Sequence, residues 1–348
     1  MSKTKFEKIR NWEYWPSSMF YVPNLPYAFY LAIRAKHPAF FSAANPAIKS
    51  SGNGTESKFH TIQLVPEKYR PKSVLIPPNK CFQKVLEEIK SQNINFPIIA
   101  KPDIGFRGLL VEKINSKNDL EVYLKNYPID IIVQEFLDHE NECGIFYHRN
   151  PNKDSGHISS ITLKKFISVK GDGKSTLREL IMNDDRACIY IELFEKIHKT
   201  SLNNIPLNSQ NIKLTVIGNH SKGTQFINGN HLISKKLERT FDDLSKSING
   251  WYYGRVDLKY NSFENLENGQ DFKVLEINGI IAEPTHIYDA KNFTYFQALK
   301  AIRIHWKSLF QISVINHKVH KIPYKSAKKF IHEMFELKSY ISSIKKLQ

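Results

Sequence analysis

The stretch DFKVLEINGIIAEPTHIYDA, residues 271–290, decides the fold of this chain. Its first half has the apolar residues of a strand, and the segment WYYGRVDLKY, residues 251–260, predicts a second strand shortly before it. Each strand carries two polar side chains two positions apart, and the four are Arg255, Asp257, Glu276 and Asn278. Residues i and i+2 of a strand share a face. Pairing of the two strands would therefore bring all four side chains to one place.

The polar side chains of these strands point to a metal site. Asp257, Glu276 and Asn278 supply three hard oxygen donors. Mg²⁺ takes one or two carboxylates and completes its shell with substrate phosphates and water. The alternative is that these are solvated residues at strand ends. The motifs upstream favour the metal interpretation.

The composition is that of a globular protein with a strong basic excess. The chain has 348 residues, of which 41% are hydrophobic and 24% charged, and its net charge is +16. This length predicts two or three structural lobes. The charge favours anionic partners, namely nucleotides, carboxylate substrates or an anionic membrane. Nucleic acid is disfavoured, because the chain has no recognised binding module and no dense Lys/Arg run with interleaved aromatic residues.

The cysteines and the N-terminus bear on the cellular compartment. The chain has three cysteines, Cys81, Cys143 and Cys188. Their number is odd, and no two of them form a Cys-x-x-Cys pair. They predict reduced thiols in a cytoplasmic protein, with neither a zinc site nor a disulfide framework. The first ten residues are polar, and no apolar core follows at the distance of a cleavable signal peptide.

The N-terminal region of residues 1–57 is aromatic and interrupted by prolines. Residues 15–33 contain no charge, but their three prolines disfavour a membrane-spanning helix. Arg34 and Lys36 follow directly. Two interpretations stay open: a lid packed on the core, or a segment at a bilayer interface. The polar run SSGNGTES, residues 50–57, predicts a boundary or a mobile loop.

Periodicity predicts mixed helices and strands beyond this region. Ser116 is expected to cap one of the helices. The predicted helices begin at Lys58 and after Ser116 and Ser234, and otherwise cover 81–92, 176–199, 293–314 and 324–346. The predicted strands include 158–169 and 212–218, together with segments around Leu75, Ile99, Val111, Val133 and Ile145.

The segment KPDIGFRG, residues 101–108, follows a buried strand and can bind phosphate. Lys101 offers a point charge at the strand end. Gly105 and Gly108 let backbone N–H groups approach phosphate oxygens without an intervening Cβ. The spacing matches neither a Walker A loop nor a dinucleotide fingerprint. Taken alone, the segment is equally compatible with a hairpin turn.

Two further segments can contribute to a nucleotide site. In IIVQEFLDHENECGIFY, residues 131–147, a purine ring can lie against Phe136 and Leu137 while Glu142 accepts from ribose hydroxyls. An ordinary strand followed by an acidic surface cluster is the alternative. In ITLKKF, Lys164 and Lys165 lie on opposite faces of a strand, so only one of them can face the site.

Six motifs, taken in chain order, resemble the ATP-grasp superfamily. They are the KPxxGxxG segment with Lys101, QEFL with Glu142, the Lys164 strand, the GNHSKGT loop at 218–224, GRVDL and LEING. The likeness is to the carboxylate–amine ligase branch, which includes D-alanine–D-alanine ligase and cyanophycin synthetase. VKGDGKSTLRELI, residues 169–181, is similar to the cyanophycin-synthetase type.

The resemblance implies an α+β ATP-grasp fold, in which two lobes sandwich ATP. The ATP-grasp domain would cover residues 58–290, with the phosphate loop in a lobe at 95–135 and the metal site in a lobe at 136–290. Residues 1–57 would then be a substrate lid or a membrane-interface segment. Residues 291–348 would form basic C-terminal helices.

The resemblance also implies roles for individual residues. Those implied to bind ATP are Lys58, Lys101, Gly105, Arg107, Gly108, Gln134, Glu135, Phe136, Leu137, Glu142 and Asn219. Asp257, Glu276 and Asn278 would hold two Mg²⁺ ions, or Mn²⁺ in their place. Lys164 would reach the β and γ phosphates, and Arg255 would stabilise an acyl phosphate.

The chain departs from the family after the metal-binding asparagine. Many members continue there into a Pro-Gly turn, whereas this chain has GIIAEPTH. Glu283 and His286 are therefore candidates for binding an ammonium group or acting as a base. A structural role for His286 stays open.

The implied activity is ligation of a small-molecule or carrier-bound carboxylate to an amine, with acyl phosphate as intermediate. Two other functions remain open: a membrane-peripheral nucleotide-binding module that uses residues 12–37 and the basic C-terminal helix, and a kinase that phosphorylates a hydroxyl. The residues name neither the acid nor the amine, and they leave the oligomeric state open.

Overall fold

Two antiparallel sheets, each with its own hydrophobic core, form the framework of the molecule. One sheet has four strands and the other has five, and a two-stranded ribbon accompanies them. The computed structural model describes residues 11–105 and 108–347. Helices and strands are mixed along the chain, so the predicted α+β class is confirmed.

The N-terminal aromatic region packs on the molecule through short helices. They are α1 (Ser18–Tyr21) and α2 (Leu25–Ala35). Phe20 is completely buried and its ring packs edge-on against Tyr288. The Asn24 side chain, also buried, donates hydrogen bonds to the carbonyls of Phe20 and Leu299. The inner side of this region is thus packed on the rest of the molecule, and its role as a lid stays a prediction. In the part of the chain that the structure describes, no helix is long and apolar enough to cross a membrane.

In the run SSGNGTES, residues 51–53 and 55 are buried and the other four are partly buried, which does not fit the mobile loop expected at residues 50–57. The alternative, a boundary at this run, stays a prediction. Its backbone is bonded to the segment after Asn278: Ile280 N–H donates to the Ser51 carbonyl at 3.0 Å. Asn53 is fully buried, and its side-chain amide donates to Glu333 at 3.1 Å. Polar residues can be buried in this way because their hydrogen bonds are satisfied.

The first lobe contains the four-stranded sheet. The helix α3 (Lys58–Gln63) precedes this sheet in the chain. The elements that follow it are β1 (Ser73–Ile76), α4 (Phe82–Ser91), β2 (Ile98–Pro102), β3 (Glu112–Ile114), α5 (Lys117–Asn126) and β4 (Ile131–Glu135). The strand order is β1-β4-β2-β3. Val85 and Leu120 fill its core from the two helices. This lobe therefore includes β1 and α4, which lie before residue 95, the predicted start of the phosphate-loop lobe.

The second lobe contains the five-stranded sheet. Its elements are β5 (Asn141–His148), β6 (His157–Lys165), β7 (Ser168–Lys170), α6 (Leu177–Asn183), α7 (Ile191–Ile197), β8 (Asn211–Lys213), β9 (Gln225–Asn228), α8 (Lys235–Ser247), β10 (Tyr253–Tyr260), α9 (Phe263–Glu267) and β11 (Phe272–Asn278). The strand order is β11-β10-β5-β6-β9. Phe241 and Leu244 of α8 pack on this sheet, and Ile62 of α3 joins the same core.

The insertion between β6 and β9 differs from its prediction. The expected strand at 158–169 is divided, because β6 belongs to the large sheet and β7 pairs with β8. The helix expected at 176–199 is interrupted after Asn183. Asp184 adopts an extended backbone, and its carboxylate accepts from the N–H groups of Arg186 and Ala187. Such local bonds compete with helical ones and end the helix. Of the strand expected at 212–218 only β8 forms, and β9 was not predicted.

Two long helices close the chain. They are α10 (Tyr295–Lys318) and α11 (Ala327–Lys345). The side chain of Thr294 caps α10 in a capping box with Gln297. Both predicted C-terminal helices are present, with ends shifted by a few residues. The three cysteines are free thiols.

Candidate active site

A cleft of about 1370 Å³ lies between the two sheets and is lined by both lobes. The N-terminal region closes one side of it with Trp15, Ser17 and Tyr21. Helix α11 closes another side with Leu337 and Ile341. The first and last parts of the chain thus cover a cleft whose polar residues come from the middle.

The predicted pairing of the two polar strands is present, and it brings the four polar side chains together. In the antiparallel pair β10–β11, Asp257 lies opposite Glu276 and Arg255 lies opposite Asn278. All four residues line the cleft. The Asn278 amide donates to Asp257 at 2.9 Å. The register thus produces the cluster that the spacing predicted.

The strand beside β10 leaves room for this cluster through a glycine. Gly144 of β5 lies opposite Asp257. A Cβ atom at this position would lie 3.0 Å from both the Arg255 Cδ and the Asp257 Oδ1 atoms. A larger residue at position 144 would therefore displace the cluster.

Asp257 is the electrostatic centre of the cleft. Its carboxylate is nearly inaccessible and pairs with Arg255 Nη2 at 2.9 Å and with Lys164 Nζ at 3.0 Å. Burial alone would raise the pKa of Asp257, but Arg255 and Lys164 outweigh it and hold the pKa well below its usual range. Asp257 is therefore ionised at neutral pH, which suits a metal ligand.

Of the two adjacent lysines, Lys164 faces the cleft. Lys164 pairs with Glu142 on β5 at 2.8 Å, whereas Lys165 is exposed. Burial opposes the charge of Lys164, but Asp257 and Glu142 raise its pKa. Glu142 is itself buried beneath Gly218, where an added Cβ would come within 2.0 Å of the Glu142 Oε1 atom. The GNHSKGT loop thus lies directly against Glu142.

The side of the cleft that is expected to bind phosphate is formed by β2, the loop after it and the start of α3. Lys101 and Lys58 both line the cleft, and Lys58 forms an ion pair with Glu276 of the other lobe. Asp103 fixes the start of α3 by accepting from Ser57 Oγ and Phe59 N–H. Burial, with a smaller contribution from Lys58, lowers the pKa of Lys101 to about 7.

Both glycines of the segment expected to bind phosphate lie at the cleft. Gly105 and Gly108 line the cleft. Gly108 approaches the GNHSKGT loop, since an added Cβ would lie 3.2 Å from Ile217 and 3.7 Å from Asn219, a cleft residue. Arg107 lies outside the described residues.

The segment between the lobes forms the wall expected to hold adenine. Gln134, Glu135, Phe136 and Leu137 all line the cleft. The Lys113 ammonium lies 4.1 Å from the centre of the Phe136 ring, and Lys259 Nζ donates to the Leu137 carbonyl at 3.1 Å. Two cations thus contact this wall.

Of the two candidates for binding or deprotonating the amine, Glu283 lies at the cleft and His286 does not. Glu283 lines the cleft and accepts from the hydroxyls of Tyr21 at 3.0 Å and Tyr288 at 3.3 Å. His286 is 3% exposed, packs edge-on against Phe293 and does not line the cleft. Burial lowers the pKa of His286 to about 4. This placement is that of a structural residue, so the structure does not bring His286 to the site.

Several cleft residues were not predicted from the sequence. They are Tyr21, Asn53, Glu56, Tyr253, Trp306, Leu337, Lys338 and Ile341. Most come from the two ends of the chain, far from the motifs in sequence. The Asn-Gly pair in SSGNGTES was the available signal, but it was interpreted as a turn in a loop.

Comparison with known proteins gives a partial likeness to ligases. No protein-family model and no curated protein matches the chain. Among solved structures, a D-alanine–D-alanine ligase from Bacillus anthracis is 12% identical with a TM-score of 0.40, over 74% of this chain and 67% of that enzyme. A D-Ala:D-Ser ligase from Enterococcus faecalis is 13% identical with a TM-score of 0.42, over 73% of this chain and 61% of that one.

A third solved structure extends the likeness to a longer enzyme. A bifunctional glutathione synthetase from Pasteurella multocida is 17% identical with a TM-score of 0.36, over 72% of this chain. The chain spans only 36% of the length of that synthetase. D-alanine–D-alanine ligase, which the sequence motifs resemble, is thus one of the enzymes among these solved structures. Identities and TM-scores of this size assign no substrate.

Proposed function

We propose that this chain is an ATP- and Mg²⁺-dependent ligase of the ATP-grasp type, which activates a carboxylate as acyl phosphate and joins it to an amine. One observation carries the proposal: four cations and three oxygen donors from two lobes meet in a single cleft. The cations are Lys58, Lys101, Lys164 and Arg255, and the donors are Asp257, Glu276 and Asn278. A triphosphate needs this combination of positive charge and metal ligands.

ATP would lie between the lobes, with its base at the wall of residues 134–137. The ribose would reach Glu142, and the phosphates would extend toward Lys101, Lys58 and the loop of Gly105 and Gly108. Asn219 would close over the nucleotide from the GNHSKGT loop. Each of these residues lines the same cleft, which supports the placement.

The oxygen donors fit Mg²⁺. Within residues 11–105 and 108–347, no group of three or more His, Cys, Asp or Glu side chains is placed to hold a metal. The candidate set instead has two carboxylates and one amide, and Mg²⁺ needs only one or two protein carboxylates when phosphates supply further oxygens. Asp257, Glu276 and Asn278 would hold one or two ions, and Mn²⁺ suits the same donors. The metal would neutralise charge on the β and γ phosphates.

The side chains in the cleft suit acyl transfer through phosphate. A carboxylate oxygen of the first substrate attacks the γ-phosphorus, and the bond from that phosphorus to the oxygen of ADP breaks. The amine then attacks the acyl carbon, phosphate leaves, and the amine loses a proton. Arg255 is held by Asp257 and by the Glu283 carbonyl, to which its Nη1 donates at 2.9 Å. A guanidinium fixed in this way can stabilise the developing negative charge without reorganising.

Glu283 is our candidate for recognising the amine substrate. Its carboxylate lies at the cleft beside Arg255 and is oriented by the hydroxyls of Tyr21 and Tyr288. A carboxylate there can bind an ammonium group and hold it near the acyl carbon. In this proposal, the lid residue Tyr21 takes part in forming the acceptor site.

Trapping with hydroxylamine tests the proposed reaction. The protein is incubated with ATP, Mg²⁺, hydroxylamine and each member of a panel of amino acids and small peptides. We expect a hydroxamate of one acid, with stoichiometric ADP and no AMP. A phosphorylated hydroxyl without hydroxamate would show a kinase. Nucleotide binding without turnover on any acid of the panel would contradict a ligase of small acids.

Nucleotide binding is expected to take up a proton at neutral pH. The pKa of Lys101 is about 7. At pH 7, and without nucleotide, roughly half of the protein molecules therefore carry a neutral Lys101 amine. A phosphate beside Lys101 favours the ammonium form, so affinity for ATP should fall as pH rises above about 7. Calorimetry in buffers of different ionisation enthalpy measures the uptake. Lys165→Met should keep the uptake and Lys101→Met should lose it, while an uptake of zero in the unaltered protein would contradict the prediction.

A further inference from the structure

The outer side of the N-terminal helices is exposed and apolar. On α2, Leu25, Phe29 and Ile33 are spaced four residues apart, and Phe29 and Ile33 are 65% and 76% exposed. We call the exposed apolar side chains of this region the apolar face, and its members are Met19, Val22, Leu25, Phe29, Tyr30 and Ile33. Single exposed apolar residues are ordinary, but a contiguous group marks an interaction site.

The apolar face is separate from the cleft. None of its members lines the cleft. Neighbouring residues of the same segment point inward instead, as Phe20 and Leu31 are buried and Tyr21 reaches Glu283. One helical segment thus walls the cleft on its inner side and presents the apolar face on its outer side.

The surroundings of the apolar face are basic. Helix α2 packs along α10, where Arg303 donates to Asn24 at 2.6 Å and the Arg34 guanidinium lies 6.0 Å from the Phe310 ring. No Asp or Glu occurs in residues 14–55 or in residues 290–332. The first segment contains three Lys or Arg residues and the second contains nine. Much of the net charge of +16 is therefore carried by the two segments that meet beside the apolar face.

We propose that the apolar face docks this protein on an anionic lipid bilayer. A surface helix with exposed aromatic and aliphatic side chains can insert shallowly into the headgroup boundary. Basic residues beside it, among them Lys300 and Lys307, are exposed and can attract anionic headgroups. A second copy of the chain is a poorer occupant, because like-charged surroundings would be brought together. The inference is independent of the ligase proposal, although docking would hold the cleft near the lipid surface.

Vesicle flotation with matched variants tests the docking. Vesicles of phosphatidylcholine alone are compared with vesicles that also contain phosphatidylglycerol, at low and at high salt. The disruptive variant is Phe29→Glu/Ile33→Glu. Its control is Leu207→Glu, which changes a side chain that is 75% exposed but lies in the insertion of the second lobe. A second variant, Lys300→Glu/Lys307→Glu, removes positive charge from the surroundings without touching the apolar face.

The unaltered protein and Leu207→Glu are expected to float with the anionic vesicles at low salt. Partitioning should be at least about tenfold weaker for Phe29→Glu/Ile33→Glu. Added salt or Lys300→Glu/Lys307→Glu should weaken it as well, because the attraction is then screened or reduced. Unchanged thermal unfolding of each variant would establish that the fold is kept.

Three results would overturn the docking proposal. One is absence of flotation of the unaltered protein at low salt. Another is equal flotation of Phe29→Glu/Ile33→Glu, which would exclude the apolar face as the contact. The third is a stable dimer in sedimentation that this variant converts to monomer, since a second copy would then cover the face.

Discussion

Replacing Glu276 with alanine is expected to abolish Mg²⁺-dependent ATP turnover while the protein stays folded. Glu276 is one of two carboxylates in the proposed metal set, and its loss also leaves Lys58 without its carboxylate partner. Losing several kcal/mol of charge stabilisation in the transition state corresponds to a rate lower by at least about a thousandfold. ADP release at saturating Mg²⁺ measures the effect. Because the Glu276 side chain is 30% exposed, the free energy of unfolding should change by no more than about 1 kcal/mol.

A carboxylate elsewhere on the second lobe controls for a general loss of negative charge. Glu264 is exposed on α9 and does not line the cleft. Glu264→Gln should turn over ATP at the rate of the unaltered protein. Near-normal activity of Glu276→Ala would rule out the metal assignment, whatever the outcome for the acid and amine substrates.

Replacing Asp257 with asparagine should lower both the activity and the free energy of unfolding. The buried carboxylate of Asp257 compensates the charges of Arg255 and Lys164, whose side chains are 17% and 7% exposed. Removing one partner of a buried ion pair leaves an uncompensated charge and costs about 3–5 kcal/mol. Urea unfolding measures the change, and Asp243→Asn on the exposed side of α8 should be nearly neutral. A loss below about 1 kcal/mol would contradict the central role of this carboxylate.

The pH dependence of stability gives a second readout for Asp257. Its pKa is lowered in the folded protein, so the stabilisation it provides is present above the ordinary carboxyl pKa of about 4. That stabilisation is lost as pH falls below about 4, toward the lowered pKa. Asp257→Asn should therefore flatten the acid side of the stability curve.

The double variant Asp257→Asn/Lys164→Met should lose less free energy of unfolding than the sum of the two single changes, since the two groups interact directly.

Local spacing predicted the part of the site that lies on neighbouring strands. Arg255 and Asp257 share one face of β10, and Glu276 and Asn278 share one face of β11, because residues two apart in a strand point the same way. The antiparallel register then places Asp257 opposite Glu276. The same rule predicted that only one of Lys164 and Lys165 faces the cleft, but not which one. Pairing of β6 with Glu142 on β5 decides that point, since it brings Lys164 against a buried carboxylate.

Helices and strands were predicted correctly where regular apolar spacing extends over a long segment. They were predicted poorly in the insertion of the second lobe. Ser116 caps its helix as predicted, and Ser234 caps the helix that was expected to begin after it; each accepts from the N–H three residues on. The helix expected at 176–199 is broken by the side chain of Asp184, whose hydrogen bonds with the following backbone outweigh the helical period. Short strands such as β8 and β9 form because they pair with neighbouring strands, and the spacing of apolar residues does not reveal those partners.

By itself, the sequence determined the mixture of helices and strands, the two strands of the polar cluster, the glycine-containing segment at 101–108 and the charge-free N-terminal stretch. These features depend on residues that are close in sequence, where periodicity and side-chain chemistry act locally. Only the tertiary structure decided that SSGNGTES is buried beside the cleft, that His286 faces Phe293 and not the cleft, and that α11 covers the cleft. Tertiary structure also decided that α2 keeps an apolar face exposed. Those outcomes depend on contacts between segments up to about 280 residues apart, such as Asn53 with Glu333, and local spacing carries no information about such contacts.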